Sequence, residues 1–308
     1  MARPDYIEIR VKAALNRVRG MPFRWSLNPY RGCRHGCKYC YARVTHAYYD
    51  LDPGADFERI IFVKVNLPEV LRAELSRPGW KGERVAVGTA TDPYQPAEAR
   101  YLITRRCLEV FARRANPCSV TTKGTLVVRD IDLFQELARL TDFAVNVSLI
   151  TLDADLWRRL EPHTPPPTSR LRAVERLAAA GIRVNIFLAP ILPGLTDRPD
   201  QLAAVVRAAA DHGAAAVYPG VLRLGSGIRD LFLAEVGEQF PGLRACYQAL
   251  YSRGPNPPAR YRGDLAARFA RLVSRVEFRV PPPPAVPGQL PLPIQTVPAD
   301  ERSPAVRV

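Results

Sequence analysis

FAVNVSLIT, residues 143–151, alternates apolar and polar side chains, with Val145, Val147 and Leu149 on one parity and Asn146 and Ser148 on the other. Successive strand residues point to opposite faces, so this segment reads as a strand with one apolar and one polar face. The pattern recurs in residues 182–188, where Ile182, Val184, Ile186 and Leu188 oppose Arg183 and Asn185. It recurs again in 119–123, where Ser119, Thr121 and Lys123 lie together. The apolar faces are expected to pack on helices. The polar faces then line an interior that a closed barrel would fill with Val, Ile and Leu. Three such strands predict a cavity for a polar ligand; the competing reading is a polar network satisfied by buried water.

Outward from this strand one rhythm repeats. ERVAVGTATD, CSVTTKG, IRVNIFLAPI and AAVYPGVLRL are strand-like, and LITRRCLEVFARRA, DIDLFQELARL, TSRLRAVERLAAAG and DQLAAVVRAAADHG between them are helical. Asp130 is placed to cap the second helix, and Gly181 to end the third, which carries Leu171, Val174, Leu177 and Ala178 on one face. Alternation of this length implies parallel βαβ units. With one strand before the cysteines the count is about six. The predicted fold is α/β, a partial (βα)6 TIM-like barrel open on one side, with a doubly wound open sheet as the alternative. A helical extension near DLAARFARLVSRV follows, then a proline-rich tail expected to be disordered. The expected division is an N-terminal extension at 1–21, the barrel with its C-terminal helices at 22–275, and the tail at 276–308.

The 308 residues are 47% hydrophobic and 24% charged, which reads as soluble and globular. No apolar run is long enough for a membrane span, and Met1 to Gly20 lacks the hydrophobic core of a signal peptide. Six cysteines, three of them clustered, argue for a reducing, cytoplasmic setting and a metal rather than a disulfide framework. The net charge of +14 invites a nucleic-acid partner. Only five of the 44 basic residues are lysine and the arginines are scattered, which equally fits compositional bias.

The chemistry concentrates in SLNPYRGCRHGCKYCYAR, residues 26–43, where Cys33, Cys37 and Cys40 stand in C-x3-C-x2-C spacing. Structural zinc sites close with four ligands, usually as two distant pairs, and no second pair exists here. Cys107, Cys118 and Cys246 are isolated, the first two reading as small buried hydrophobes. His35 or His46 could complete a zinc site, though both read as loop or surface histidines. A [4Fe–4S] cluster held by three thiolates instead leaves one iron open. S-adenosylmethionine (SAM) can chelate that iron, and one electron from the reduced cluster then releases a 5′-deoxyadenosyl radical.

This spacing, with an aromatic before the last cysteine, resembles the radical SAM superfamily. NPYRGCRHGCKYCYAR, GTATDPYQPAE, VTTKGTLVVRDIDLF, SLITLD, LEPHTPPPTSRL, APILPGLTD and VLRLGSGIRDLFLAEV, in this order, resemble its spore photoproduct lyase-like branch from about residue 22 to 275. The resemblance implies an enzyme with a [4Fe–4S] cluster on Cys33, Cys37 and Cys40 and SAM as cofactor. It also implies an electron donor of flavodoxin or ferredoxin type and no membrane. By it Tyr39 would lie against the adenine, Lys123 and Ser148 would bond the carboxylate or ribose, and Arg170 would pair with the carboxylate. Asn185 would face the same cavity, and the backbone around Pro190–Gly194 would meet the adenine.

The chain also departs from that branch. Relatives that repair the thymine dimer keep a cysteine in the loop after the second strand, whereas GTATDPYQP has Thr89 and Thr91 and no thiol. An O–H bond is too strong to donate a hydrogen atom readily, so the dimer repair is not expected. Thr91, Asp92 and Tyr94 are the candidate catalytic residues in that loop, Tyr94 as a radical relay, with Gln95 as a further contact. TATD would stand in for the glycine-glycine-glutamate motif that the chain lacks. The leading expectation is hydrogen abstraction from an unidentified substrate, with nucleic acid a candidate. The alternative is a basic, zinc-stapled nucleic-acid-binding protein without catalysis. In the tail, GQLPLPI (288–294) is spaced like peptides that dock on the bacterial sliding clamp, against the blander reading of a proline-rich linker.

Overall fold

Six parallel strands carry the main sheet of the computed structural model, which describes residues 4–281. In chain order the strands are β1 (Asp5–Ile9), β2 (Leu15–Arg17), β3 (Trp25–Leu27), β4 (Tyr30–Arg31) and β5 (Ile60–Lys64), then β6 (Val85–Val87), β7 (Cys118–Thr122), β8 (Phe143–Ser148), β9 (Val184–Ile191) and β10 (Ala216–Val221). The large sheet runs β10-β9-β8-β7-β6-β3-β2, parallel except for β2 against β3, and its ends do not pair. This is the expected (βα)6 partial barrel. β1, β5 and β4 form a separate small sheet that the strand count from sequence did not include.

Strand parity holds as read. Val145, Val147, Val184, Ile186 and Leu188 are buried against helices Ile103–Arg113, Ile131–Leu140, Pro167–Ala179 and Pro199–Asp211, within one apolar core. Leu171, Val174 and Leu177 bury the third helix, and Gly181 follows it with φ +79°. Cys107 and Cys118 are buried in that core, as expected of small hydrophobes. Helix Ala259–Val273 inserts Leu265 and Phe269 into it.

One expectation needs correction. Asp130 precedes helix Ile131–Leu140 but makes no capping bond; its carboxylate instead takes Arg105, Arg129 and Tyr94. Burial favours partners that satisfy a full charge over one backbone amide. Within residues 1–21, the expected N-terminal extension, β2 joins the main sheet and Ala14 lies in the core. Among the described residues no helix is long and apolar enough to cross a membrane. The clamp-like peptide 288–294 lies outside the described residues.

Candidate active site

Cys33, Cys37 and Cys40 occupy one loop between β4 and the 3-10 helix Tyr41–Tyr49. The loop is fixed at its backbone: Cys33 N donates to Phe57 O at 3.0 Å, Lys38 N to Leu160 O at 3.0 Å and Cys40 N to Cys37 O at 3.2 Å. Arg43, buried beneath it, donates from Nε to Cys37 O at 3.0 Å and from Nη2 to Gly36 O at 2.8 Å. Gly32 enters the loop with φ +82°, and a Cβ there would meet Ile60 O at 2.6 Å. All three thiols are free, Cys33 and Cys37 buried and Cys40 half-buried. Burial pushes the Cys33 thiol well up, with Asp92 adding to it. Cys37 is pushed up to about 12 by burial, with Lys123 pulling the other way. Thiols held as S–H must release protons when a metal centre takes them as thiolates.

The loop after β6 braces the cysteine loop. Thr91 Oγ1 donates to Gly32 O at 2.7 Å, and Gln95 Nε2 bonds both Gly32 O and Thr91 Oγ1. Gln95 Oε1 accepts from Arg34 N at 3.0 Å. Asp92 is buried and accepts from Tyr94 N, Thr122 Oγ1 and Lys123 N at 2.6–2.8 Å, with His35 Nδ1 at 3.1 Å. Burial works against its charge, but His35 and these hydrogen bonds hold its carboxyl well below the usual range. Tyr94 is buried, not at the barrel mouth; its hydroxyl donates to Asp130 at 2.8 Å and its ring packs edge-on to Phe134. Through these contacts Thr91, Asp92 and Tyr94, the expected catalytic residues, tie the loop after β6 to the cysteine loop, β7 and Asp130.

Across the mouth, a buried carboxylate absent from the sequence reading organises three of the expected residues. Glu161, 1% exposed, accepts from the Tyr39 hydroxyl through Oε1 and from Arg170 Nη2 through Oε2, and Lys123 Nζ lies 4.0 Å from Oε1. Lys123 Nζ also stands 5.8 Å from the centre of the Tyr39 ring. Burial opposes the charge of Lys123, but Cys37 and Glu161 outweigh it and hold its pKa up. Arg170 is fully buried and also donates to Pro165 O at 2.8 Å, Ser148 O at 3.0 Å and Thr164 Oγ1. Its fork is thus engaged by protein groups, so it holds Glu161 and the end of β8 rather than reaching into the mouth. Glu161 sits beside the proline run of LEPHTPPP, where only its missing solvent, not its spacing, marks it.

The inward face carries the predicted polar groups. Asn185 Nδ2 donates to Asn146 Oδ1 at 2.9 Å, and Asn146 Nδ2 reaches Thr121 Oγ1 at 3.4 Å, a ladder across three strands in register. Ser148 Oγ lies 3.4 Å from Ala189 O above it. The apolar cover of the mouth comes from helices Arg229–Gln239 and Arg244–Leu250, whose Phe232, Val236 and Tyr247 cluster with Cys37 and Tyr39.

His35 and His46, two of the four histidines, are buried, not surface groups. His35 is drawn to Asp92, and His46 Nε2 bonds Ile60 O at 3.0 Å. Among the described residues no three His, Cys, Asp or Glu side chains converge as ligands of a single ion do. A structural zinc needs four ligands at one point, whereas in a cube each thiolate takes a different iron. Three free thiols in one braced loop, without a fourth, fit such a cluster.

Comparison with known proteins agrees. Residues 27–206 match the family described as the Radical SAM superfamily. An uncharacterized protein of Mycobacterium tuberculosis is 42% identical over 271 residues, 87% of this chain and 80% of that one. An uncharacterized protein of Methanocaldococcus jannaschii is 30% identical over 63% of this chain and 70% of its own length. Among solved structures, a spore photoproduct lyase mutant with bound AdoMet and dinucleoside spore photoproduct superposes with a TM-score of 0.66. It shows 14% identity, over 88% of this chain and 78% of that one, and so shares the fold.

Proposed function

As a member of the radical SAM superfamily this chain is an enzyme, and we propose that it holds a [4Fe–4S] cluster on Cys33, Cys37 and Cys40 and uses it with SAM to abstract hydrogen from a substrate. The observation that carries this reading is the three free thiols of one braced loop, set against Tyr39 and Lys123 at the mouth of an unclosed barrel. The cluster, when bound, supplies the electron that cleaves the SAM sulfonium.

The chain's own groups do the rest. Lys123, kept cationic, offers a charged donor to the SAM carboxylate, and Ser148 a hydroxyl beside it. Tyr39, tethered through its hydroxyl to Glu161, gives a fixed ring face for the adenine. Arg170 acts through Glu161, and Thr91, Asp92 and Gln95 hold the cysteine loop in place. An electron carrier of flavodoxin or ferredoxin type would reduce the cluster.

A nucleic-acid substrate is supported by the charge of +14 and by the dinucleoside ligand of the structurally similar lyase. Dimer repair itself is not supported, since the loop GTATDPYQP, where repairing relatives keep a thiol, holds none. The test is anaerobic reconstitution with iron and sulfide, then SAM and dithionite. The expected product is 5′-deoxyadenosine, and its absence from a four-iron protein would overturn the reading.

A further inference from the structure

One rung above the amide ladder lies a set of side chains that the cofactor assignments only half use. Ser148, Phe187 and Tyr218 are in register on β8, β9 and β10, and Lys123 follows Thr122, the β7 partner of Val147. All share the inward parity of Thr121, Asn146 and Asn185. Half of the rung, Lys123 and Ser148, is polar and lies towards the cysteine loop. The other half is aromatic. Phe187 and Tyr218 meet edge to face, ring centres 5.9 Å apart at 86°. Tyr218 is 50% exposed although it is on the inner wall, because β10 is the edge strand of an unclosed sheet. An edge-to-face pair leaves a ring face free for stacking.

The rung below has a direction. Asn185 donates to Asn146, which donates to Thr121, so Asn185 Oδ1 is the terminal acceptor of the ladder. Its in-register neighbour on β10 is Ala216, which has no donor to offer. A planar ring stacked on the aromatic pair, with an N–H at its edge, would meet both needs at once. At the floor Arg84 and Arg183 share the single carboxylate of Asp142, an excess of positive charge on the same concave side.

We propose that Phe187, Tyr218 and Asn185 form the substrate subsite of this enzyme, and that it takes a planar heteroaromatic ring carrying an imide or lactam N–H. This rests on the radical SAM reading above, and it moves Asn185 from the cofactor to the substrate. The adenine of SAM is also a planar ring with N–H donors, so the two sources must be separated. The substrate is favoured because Lys123 and Ser148, the groups suited to SAM, occupy the opposite half of the rung.

The experiment is anaerobic isothermal titration of the full-length, cluster-loaded, unreduced protein with uridine and with N3-methyluridine, each with and without saturating SAM. The expected result is uridine binding that persists with SAM bound, weakened about tenfold or more by N3-methylation and by Tyr218→Ala, and kept by Tyr218→Phe. Equal affinity of wild type and Tyr218→Ala, displacement of uridine by SAM, or no uridine binding up to about 100 mM, weaker than stacking plus one hydrogen bond supports, would each overturn the proposal. Cleavage of SAM to 5′-deoxyadenosine, measured on the same preparation after reduction with dithionite, separates the two readings: intact cleavage with no uridine binding sinks only the subsite.

Discussion

Glu161→Ala is the sharpest perturbation of the mouth. The carboxylate and Arg170 are each 1% exposed, and Glu161 is the acidic partner of that guanidinium. Removing it leaves Arg170 with two backbone carbonyls and the Thr164 hydroxyl but no counter-charge. Breaking a buried pair on one side costs about 3–5 kcal/mol. With a urea m-value of about 3 kcal/mol/M, the unfolding midpoint of the metal-free, reduced protein should fall by about 1 M or more. Circular dichroism at pH 7 measures it. Adding Arg170→Met should recover most of the loss, because it removes the orphaned charge.

The pH dependence has a fixed sign. Burial alone would raise the pKa of Glu161, but Arg170, Lys123 and the Tyr39 hydroxyl hold it below its ordinary 4.5. The unfolded chain therefore binds the proton first, so this stabilisation is full above about pH 4.5 and fades as pH falls through the folded pKa. Glu161→Gln should lack that acid-side slope. A midpoint shift under about 0.3 M for Glu161→Ala, or a double variant no more stable than the single one, would refute the buried-charge account.

Alanine at Cys33, Cys37 or Cys40 should reduce iron after anaerobic reconstitution from about four per chain to near zero, whereas Cys246→Ala, exposed and remote in sequence, should leave it unchanged by iron assay. Gly32→Ala forces a Cβ against the Ile60 carbonyl at a positive φ; it should destabilise by about 2 kcal/mol in urea and lower iron retention by displacing Cys33. Lys64, donating to Asn28 O at 2.7 Å, has its pKa lowered to about 8 by burial, with Arg31 adding to it. Below about pH 8 its charge is held at a cost, and stability rises between the folded value and 10.5. Lys64→Met should therefore stabilise by roughly 1–2 kcal/mol at pH 7, after losing that hydrogen bond, with the advantage vanishing by pH 10 in thermal melts.

Strand parity and helix periodicity are local properties, and they were legible in the chain: the (βα)6 order, the apolar backs of β8 and β9, and the inward Asn146, Ser148 and Asn185. The small sheet was not, because Asp5–Ile9 and Ile60–Lys64 pair across more than fifty residues and neither segment alternates clearly. The same limit explains the loop after β6. Thr91, Asp92 and Tyr94 look catalytic by type, yet their partners Gly32, His35 and Asp130 come from other parts of the chain.

By itself, then, the sequence determined the architecture and the cysteine triad, since both are written in short-range spacing. The tertiary structure alone decided which polar groups face the mouth and which are consumed inside the protein. It turned Arg170 inward to Glu161, buried His35 and His46, and set Phe187 and Tyr218 on the open inner wall. The reason is that a charge or ring acquires its role from the groups that desolvate and pair it, and those meet only when distant strands align.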